Sequence, residues 1–148
     1  MRRTLVLGLA LALALPFAAC EQQKRGAPAA QGENVQLVSI DDLAARLDHA
    51  TAQPVDANGP QLRQDVGIIP GAVLLSDYEA YSLKELPADK ATPLVFYCAN
   101  EDCDASHVAA KRALSAGYQH VQVLAAGILG WRKAGRAMAK PPVAAPPA

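Results

Sequence analysis

Two thiols stand five positions apart in Cys98-Ala99-Asn100-Glu101-Asp102-Cys103, directly after the apolar run Leu94-Val95-Phe96-Tyr97. The reactive form of cysteine is the thiolate, and a helix N-terminus or a cradle of backbone N–H groups lowers its pKa from about 8.5 towards neutrality. This segment offers both: Cys98 closes a strand, residues 99–103 form a loop, and a helix starts within the next three positions, with Asp104 or Ser106 as its cap. The expected chemistry is therefore nucleophilic, with Cys98 as the attacking group and the amides of Ala99, Asn100, Glu101, Asp102 and Cys103 around its sulfur. Three acids oppose part of that expectation. A carboxylate of Glu101, Asp102 or Asp104 within about 4 Å would repel a unit negative charge by ~1 kcal/mol even in water, and like charges raise a thiol pKa. Small dianionic substrates are disfavoured. Cys103 opens a second use, a reversible dithiol switch with Cys98, provided that the loop brings the two Cα atoms within about 7 Å. Two thiols and three acids do not make a metal site on spacing alone, so no metal and no cofactor is expected. His107, on the helix after the loop, is expected to be a solvated helical histidine.

The elements that must position these groups follow from hydrophobic pattern. Val35 to Val38 makes a short strand, and Ser39 caps a helix with Asp41 and Asp42 in its first turn and Ile40, Leu43, Ala44 and Leu47 along one face. Pro54-Val55-Asp56-Ala57 is a brief strand ending in the turn residues Asn58-Gly59-Pro60, and a polar segment follows. Gly67 to Ala72 turns the chain into a strand at Val73-Leu74-Leu75. Leu94 to Tyr97 is apolar without alternation, as in parallel strands covered on both faces. The next helix carries Val108, Ala109, Arg112 and Ala113 and stops near Gly117. Val121 to Leu124 is the last strand and Gly127 to Ala134 the last helix. Short strands alternating with helices indicate an α/β fold, a parallel central sheet with helices on both faces. Ligands bind such sheets at the carboxyl ends of the strands, where Cys98 lies.

The ends of the chain are of another kind. Arg2 and Arg3, an apolar run from Leu5 to Ala19 and small residues before Cys20 make residues 1–19 a signal peptide, too short for the roughly 20 residues of a membrane span. Phe17-Ala18-Ala19-Cys20 resembles the lipobox of bacterial lipoproteins, which implies a lipid on Cys20, a membrane contact through that lipid, and export to the periplasmic side. Glu21 after the cysteine leans towards the outer membrane; ordinary cleavage to a soluble periplasmic protein is the alternative. Residues 20–34 form a tether, 35–138 the domain, and 139–148 a Pro/Ala tail that should not fold. Cleavage before Cys20 leaves 129 of 148 residues, enough for one core but not two. The precursor carries 14 basic and 14 acidic residues, and this balance speaks against a nucleic-acid partner.

Four motifs in order resemble those of the rhodanese-like domains. Val55-Asp56-Ala57-Asn58 is similar to the family's Asp-x-Arg turn, Gly67-Ile68-Ile69-Pro70-Gly71-Ala72 to its Gly-His-Ile-Pro-Gly-Ala, Leu94 to Cys98 to its active-site strand, and Ala126-Gly127-Ile128-Leu129-Gly130-Trp131 to its closing Gly-Gly-Ile-x-x-Trp. The resemblance implies a rhodanese fold in which Cys98 takes a sulfane sulfur from a donor as a persulfide and passes it to a thiol acceptor, either partner being a small molecule or a protein. It also implies that Asp56 holds backbone N–H groups at its turn. Asn58 stands where the family has Arg, and Ile68 where it has His, which leaves a non-catalytic binding module as a further reading. The related phosphatases place Arg six residues after the nucleophile, and here that position is Asp104. Trp131 is expected to pack over the site.

Overall fold

The computed structural model describes residues 35–142; residues 1–34, where the signal peptide and the tether with Cys20 are expected, and residues 143–148 lie outside the described residues. Five strands, β1 (Gln36–Leu37), β2 (Gln53–Asp56), β3 (Val73–Leu74), β4 (Leu94–Tyr97) and β5 (Val121–Val123), form one sheet in the order β1-β5-β4-β2-β3. Every pair in it is parallel. Four helices, α1 (Ile40–Asp48), α2 (Pro60–Val66), α3 (Ala105–Ser115) and α4 (Gly127–Lys133), cover its two faces. Among the described residues no helix is long and apolar enough to cross a membrane.

The sheet divides the core because side chains alternate along a strand. Leu94 and Phe96 of β4 point to the face covered by α3, where they meet Ala109, Ala110 and Ala113. Val95 and Tyr97 point to the face covered by α1, α2 and α4, among Leu43, Ile69, Ile128 and Trp131. All four β4 side chains are fully buried, each worth about 1.5–3 kcal/mol relative to exposure. Three alanines on α3 let that helix lie close to the sheet; Val108, one of the residues placed on this helix from its sequence pattern, faces water instead. Tyr81 ties the β3–β4 crossover to α3, its hydroxyl donating to the Ala109 carbonyl at 2.8 Å and its ring lying under the Arg112 guanidinium. Ser39 caps α1 by accepting from the Asp42 amide at 3.1 Å.

Two segments differ from expectation. The polar stretch after Asn58-Gly59-Pro60 is helix α2, with Pro60 in its first turn, where the missing N–H costs nothing and φ is already helical. Turn residues there start a helix. Only Leu62 and Val66, four apart, join the core from it, too few for a visible period. The tail also pairs further than its composition suggests. Ile68 and Ala139 exchange two backbone hydrogen bonds of 2.9 Å, placing Ala139, the first residue of the segment expected not to fold, against the domain.

The chain moves outward from β2 to β3, then crosses to the other side of β2 for β4 and β5, so the topological switch point lies between β2 and β4. Asp56 and Tyr97 are register partners at that point. Asp56 has no exposure to water, yet both of its oxygens are used: one accepts from the Asn58 amide at 2.7 Å, the other from the Tyr97 hydroxyl at 2.8 Å. Burial, and next the Asp56 carboxylate, hold the Tyr97 phenol far above its usual range, so it stays protonated and donates. The same hydroxyl accepts from the Ile69 amide at 3.1 Å. Arg63 of α2 completes the group. Its Nε lies 3.3 Å from Asp56, at ion-pair range without hydrogen-bond alignment, and its NH2 group donates to the carbonyls of Asp56 and Leu75 at 3.0 and 2.9 Å. Removing one partner of a buried ion pair costs about 3–5 kcal/mol, so Asp56→Ala is expected to lower the unfolding free energy by that much in a denaturant titration. Arg63→Met leaves the buried carboxylate without its countercharge and two carbonyls without their donor, and is expected to cost a similar amount; a loss well under about 1 kcal/mol from either variant would overturn this account.

Candidate active site

Cys98 follows β4 at the switch point and is 2% exposed. Its sulfur touches three groups. It donates to the Cys103 carbonyl at 2.8 Å, lies 3.9 Å from the Asn100 carbonyl, and sits 3.3 Å from the Ser106 hydroxyl. The loop therefore turns carbonyls, not amides, towards the sulfur, and the Cys103 amide is used on the Asn100 carbonyl at 3.2 Å. This corrects the expectation of an amide cradle over Ala99 to Cys103.

The direction of the thiol pKa is corrected with it. Burial pushes Cys98 up, the adjacent Cys103 thiol adds to this, and the Ser106 hydroxyl and backbone N–H pull it down without reversing the balance. The helix N-terminus does its expected part through Ser106, but desolvation is larger. Neither of the two candidate caps, Asp104 and Ser106, makes a capping bond. Asp104 occupies the N-cap position of α3 with helical backbone angles and makes no capping bond. Ser106, the other candidate cap, is buried in the second position of the helix against the sulfur.

The loop is held from the opposite side by α4. Its first amides, those of Ile128 and Leu129, donate to the carbonyls of Cys98 and Ala99 at 2.9 and 3.0 Å. This contact requires glycine at 127: φ is +58°, and a Cβ there would lie 2.5 Å from the Ala99 carbonyl. Asn100, Glu101, Asp102 and Asp104 are exposed, Ala99 and His107 partly so, and the three carboxylates face solvent and not the sulfur. Asp56 and Asn58 lie at the neighbouring strand end; Asn58 contributes its amide to Asp56 and is nearly buried. Trp131 lies away from the site. It packs on the α1 face and donates to the Ala137 carbonyl at 2.9 Å, whereas Cys98 belongs to the α3 face. Among the described residues no cluster of His, Cys, Asp and Glu is placed to hold a metal.

A model of the rhodanese-like domain matches residues 39–134. The chain belongs to the rhodanese-like domain family. Solved structures share its fold. A human single-domain sulfurtransferase superposes with a TM-score of 0.55 at 23% identity, over 68% of this chain and 97% of that one. The 3-mercaptopyruvate sulfotransferase SseA of Escherichia coli gives 0.59 at 23% identity, over 76% of this chain and 53% of that one. A Rhodopseudomonas palustris protein of unknown function, described as a possible tyrosine phosphatase, gives 0.58 at 24% identity, over 70% of this chain and 84% of that one. No curated protein matches the sequence. Within this rhodanese-like domain, the Arg absent at Asn58 is replaced as a neighbour of Asp56 by Arg63, and Ile68, in place of His, is core at 5% exposure. Asp104, six residues after Cys98, leaves the loop without the cation that a phosphate ester needs.

Two measurements check this geometry. A thiol whose pKa is raised ionises later than one in the unfolded chain, so its contribution to stability is complete below the unfolded value of about 8.5 and is lost as pH rises through the folded one. Alkylation of Cys98 in the native protein should accordingly keep accelerating beyond about pH 8.5, and a plateau below that would refute the raised pKa. Ser106→Ala removes a hydrogen bond to the charged sulfur, worth about 1.5–3 kcal/mol, and should slow alkylation at fixed pH by roughly tenfold or more. For the α4 contact, Gly127→Ala must adopt positive φ and displace the loop, and a loss of about 2 kcal/mol or more is expected in a denaturant titration, with faster alkylation of Cys98. An unchanged midpoint would sink it.

Proposed function

We propose that the protein is a rhodanese-type sulfurtransferase or sulfur carrier that holds the transferred sulfur as a persulfide on Cys98, exported and anchored by a lipid on Cys20 at the periplasmic side of a bacterial membrane. The observation that carries the reading is the setting of Cys98: the first residue after the central strand, at the switch point, with its sulfur against the Ser106 hydroxyl at the start of α3. Membership of the rhodanese-like family and the likeness to two sulfurtransferase structures support it.

The chemistry is a pair of displacements. Cys98, as thiolate, attacks the sulfane sulfur of a donor; the new S–S bond forms as the donor's own bond to that sulfur breaks, and the leaving group departs with the electron pair. An acceptor thiolate then attacks the outer sulfur, and Cys98 leaves as thiolate. No external oxidant or reductant is needed. Ser106 holds the negative sulfur in both steps by donating its hydroxyl hydrogen. Of the donor classes, a neutral or protein-borne persulfide suits the loop better than thiosulfate. Glu101, Asp102 and Asp104 ring the outside of the loop, where an approaching dianion meets three like charges and no basic side chain of the loop.

Mass spectrometry of the mature protein tests this. Cys98 is expected to gain about 32 Da from a persulfide donor and to lose it to reductant, with thiosulfate loading it more slowly; Cys20 is expected to carry the lipid. No gain at Cys98 from a low-molecular-weight persulfide, mercaptopyruvate or thiosulfate would overturn the reading in favour of a binding module.

A further inference from the structure

Cys103 is the other thiol of the described domain, and the loop fold sets it against Cys98. The Cys98 sulfur lies 2.8 Å from the Cys103 carbonyl oxygen. Within one residue the carbonyl oxygen is roughly 2.4 Å from Cα, which puts Cys103 Cα within about 5.2 Å of the Cys98 sulfur. A cysteine sulfur lies roughly 2.8 Å from its own Cα, so the remaining separation is within the reach of this side chain when its Cβ points towards Cys98. Its partly exposed thiol packs against the core cluster that contains Cys98. The two differ in one respect that matters for a carrier: Cys98 is 2% exposed, and Cys103 reaches solvent. An acceptor protein reaches a sulfur on the loop's surface more readily than one under the loop.

We propose that Cys103 is a second sulfur-bearing catalytic residue, which takes the outer sulfur from Cys98 and presents it to the acceptor. The step rests on the reading that Cys98 forms a persulfide. Cys103, as thiolate, attacks the outer sulfur; the Cys103 Sγ–S bond forms, the Cys98 Sγ–S bond breaks, and Cys98 leaves with the electron pair. The proton that Cys103 gave up is returned to Cys98, so one thiol and one persulfide enter and one of each leaves. Glu101 and Asp102, beside Cys103 on the exposed loop, then select an acceptor with a basic surface around its thiol.

The full mature protein is loaded with inorganic polysulfide, separated from the donor, and alkylated at intervals. Cleavage after Glu101 separates the Cys98 peptide from the Cys103 peptide, so the extra 32 Da (roughly, one sulfur) can be assigned to each. After donor removal the label is expected to move from Cys98 to Cys103 at a rate independent of protein concentration. Cys103→Ser should trap it on Cys98 and slow its release to a thiol-bearing protein acceptor by roughly tenfold or more, while Cys98→Ser should show no such movement. Label that stays on Cys98 in the unmodified protein, or a Cys98–Cys103 disulfide with release of hydrosulfide, overturns the relay and leaves the persulfide reading standing. Absence of label from Cys98 in both the unmodified protein and Cys103→Ser overturns the persulfide reading, and the relay with it.

Discussion

A carboxylate with no access to water is tolerated in a protein only when its charge and its lone pairs are all answered nearby. Asp56 is such a group, and answering it organises the edge of the sheet where Cys98 lies. Tyr97 reaches it from β4, Arg63 from α2, and the Asn58 amide from the turn after β2. Tyr97 also receives the Ile69 amide, and Arg63 spans to the Leu75 carbonyl, so the turn before β3 and the end of β3 are held to the same point. Cys98 is the next residue after Tyr97. Its position is thus inherited from a network whose hydrogen bonds do not involve the sulfur.

The loop itself is a balance between two opposed effects. The start of α3 offers the Ser106 N–H and hydroxyl, which favour a thiolate; burial and two inward carbonyls favour a thiol. Burial is the larger, and the closed loop keeps Cys98 protonated and shielded. Such shielding protects the thiol, since oxidation follows thiolate character and exposure. Reaction then requires the Cys103 carbonyl to move off the sulfur, while α4 keeps the Cys98 and Ala99 carbonyls in place. The Gly127 contact fixes the Cys98–Ala99 end of the loop.

Much of this was legible in the residues. The run Leu94 to Tyr97 announced a doubly covered strand because every position is apolar, and Ser39 with Asp41 and Asp42 announced a helix start by chemistry that does not depend on tertiary context. Helix α2 was hidden for the opposite reason. Its apolar positions are only Leu62 and Val66, and its Pro60 signals a turn and a helix start equally well. The inward carbonyls could not be read at all, since every residue has both an amide and a carbonyl and only the loop's path decides which faces the sulfur. Ser106 was visible as a hydroxyl near a helix start, but whether it caps or is buried depends on one residue of helix phase. Arg63 had no signal beyond lying in a polar stretch, because its partner is a buried carboxylate seven positions earlier.

The departures from the family pattern acquire a common direction from these contacts. Moving the cation of the turn from position 58 to Arg63 keeps Asp56 paired but spends that charge inside the protein, where it is 8% exposed. Ile68 in place of histidine adds to the core and removes a titratable group from the edge. With both positions neutral and Glu101, Asp102 and Asp104 outside, the edge presents negative charge to whatever approaches. Such a surface slows small anions and hastens partners with basic surroundings, a selection exercised on the rate of encounter more than on the chemistry. The proposed sulfur chemistry is thereby separated from the choice of partner: the first would rest on Cys98, Ser106 and the buried network, the second on three exposed carboxylates outside that network.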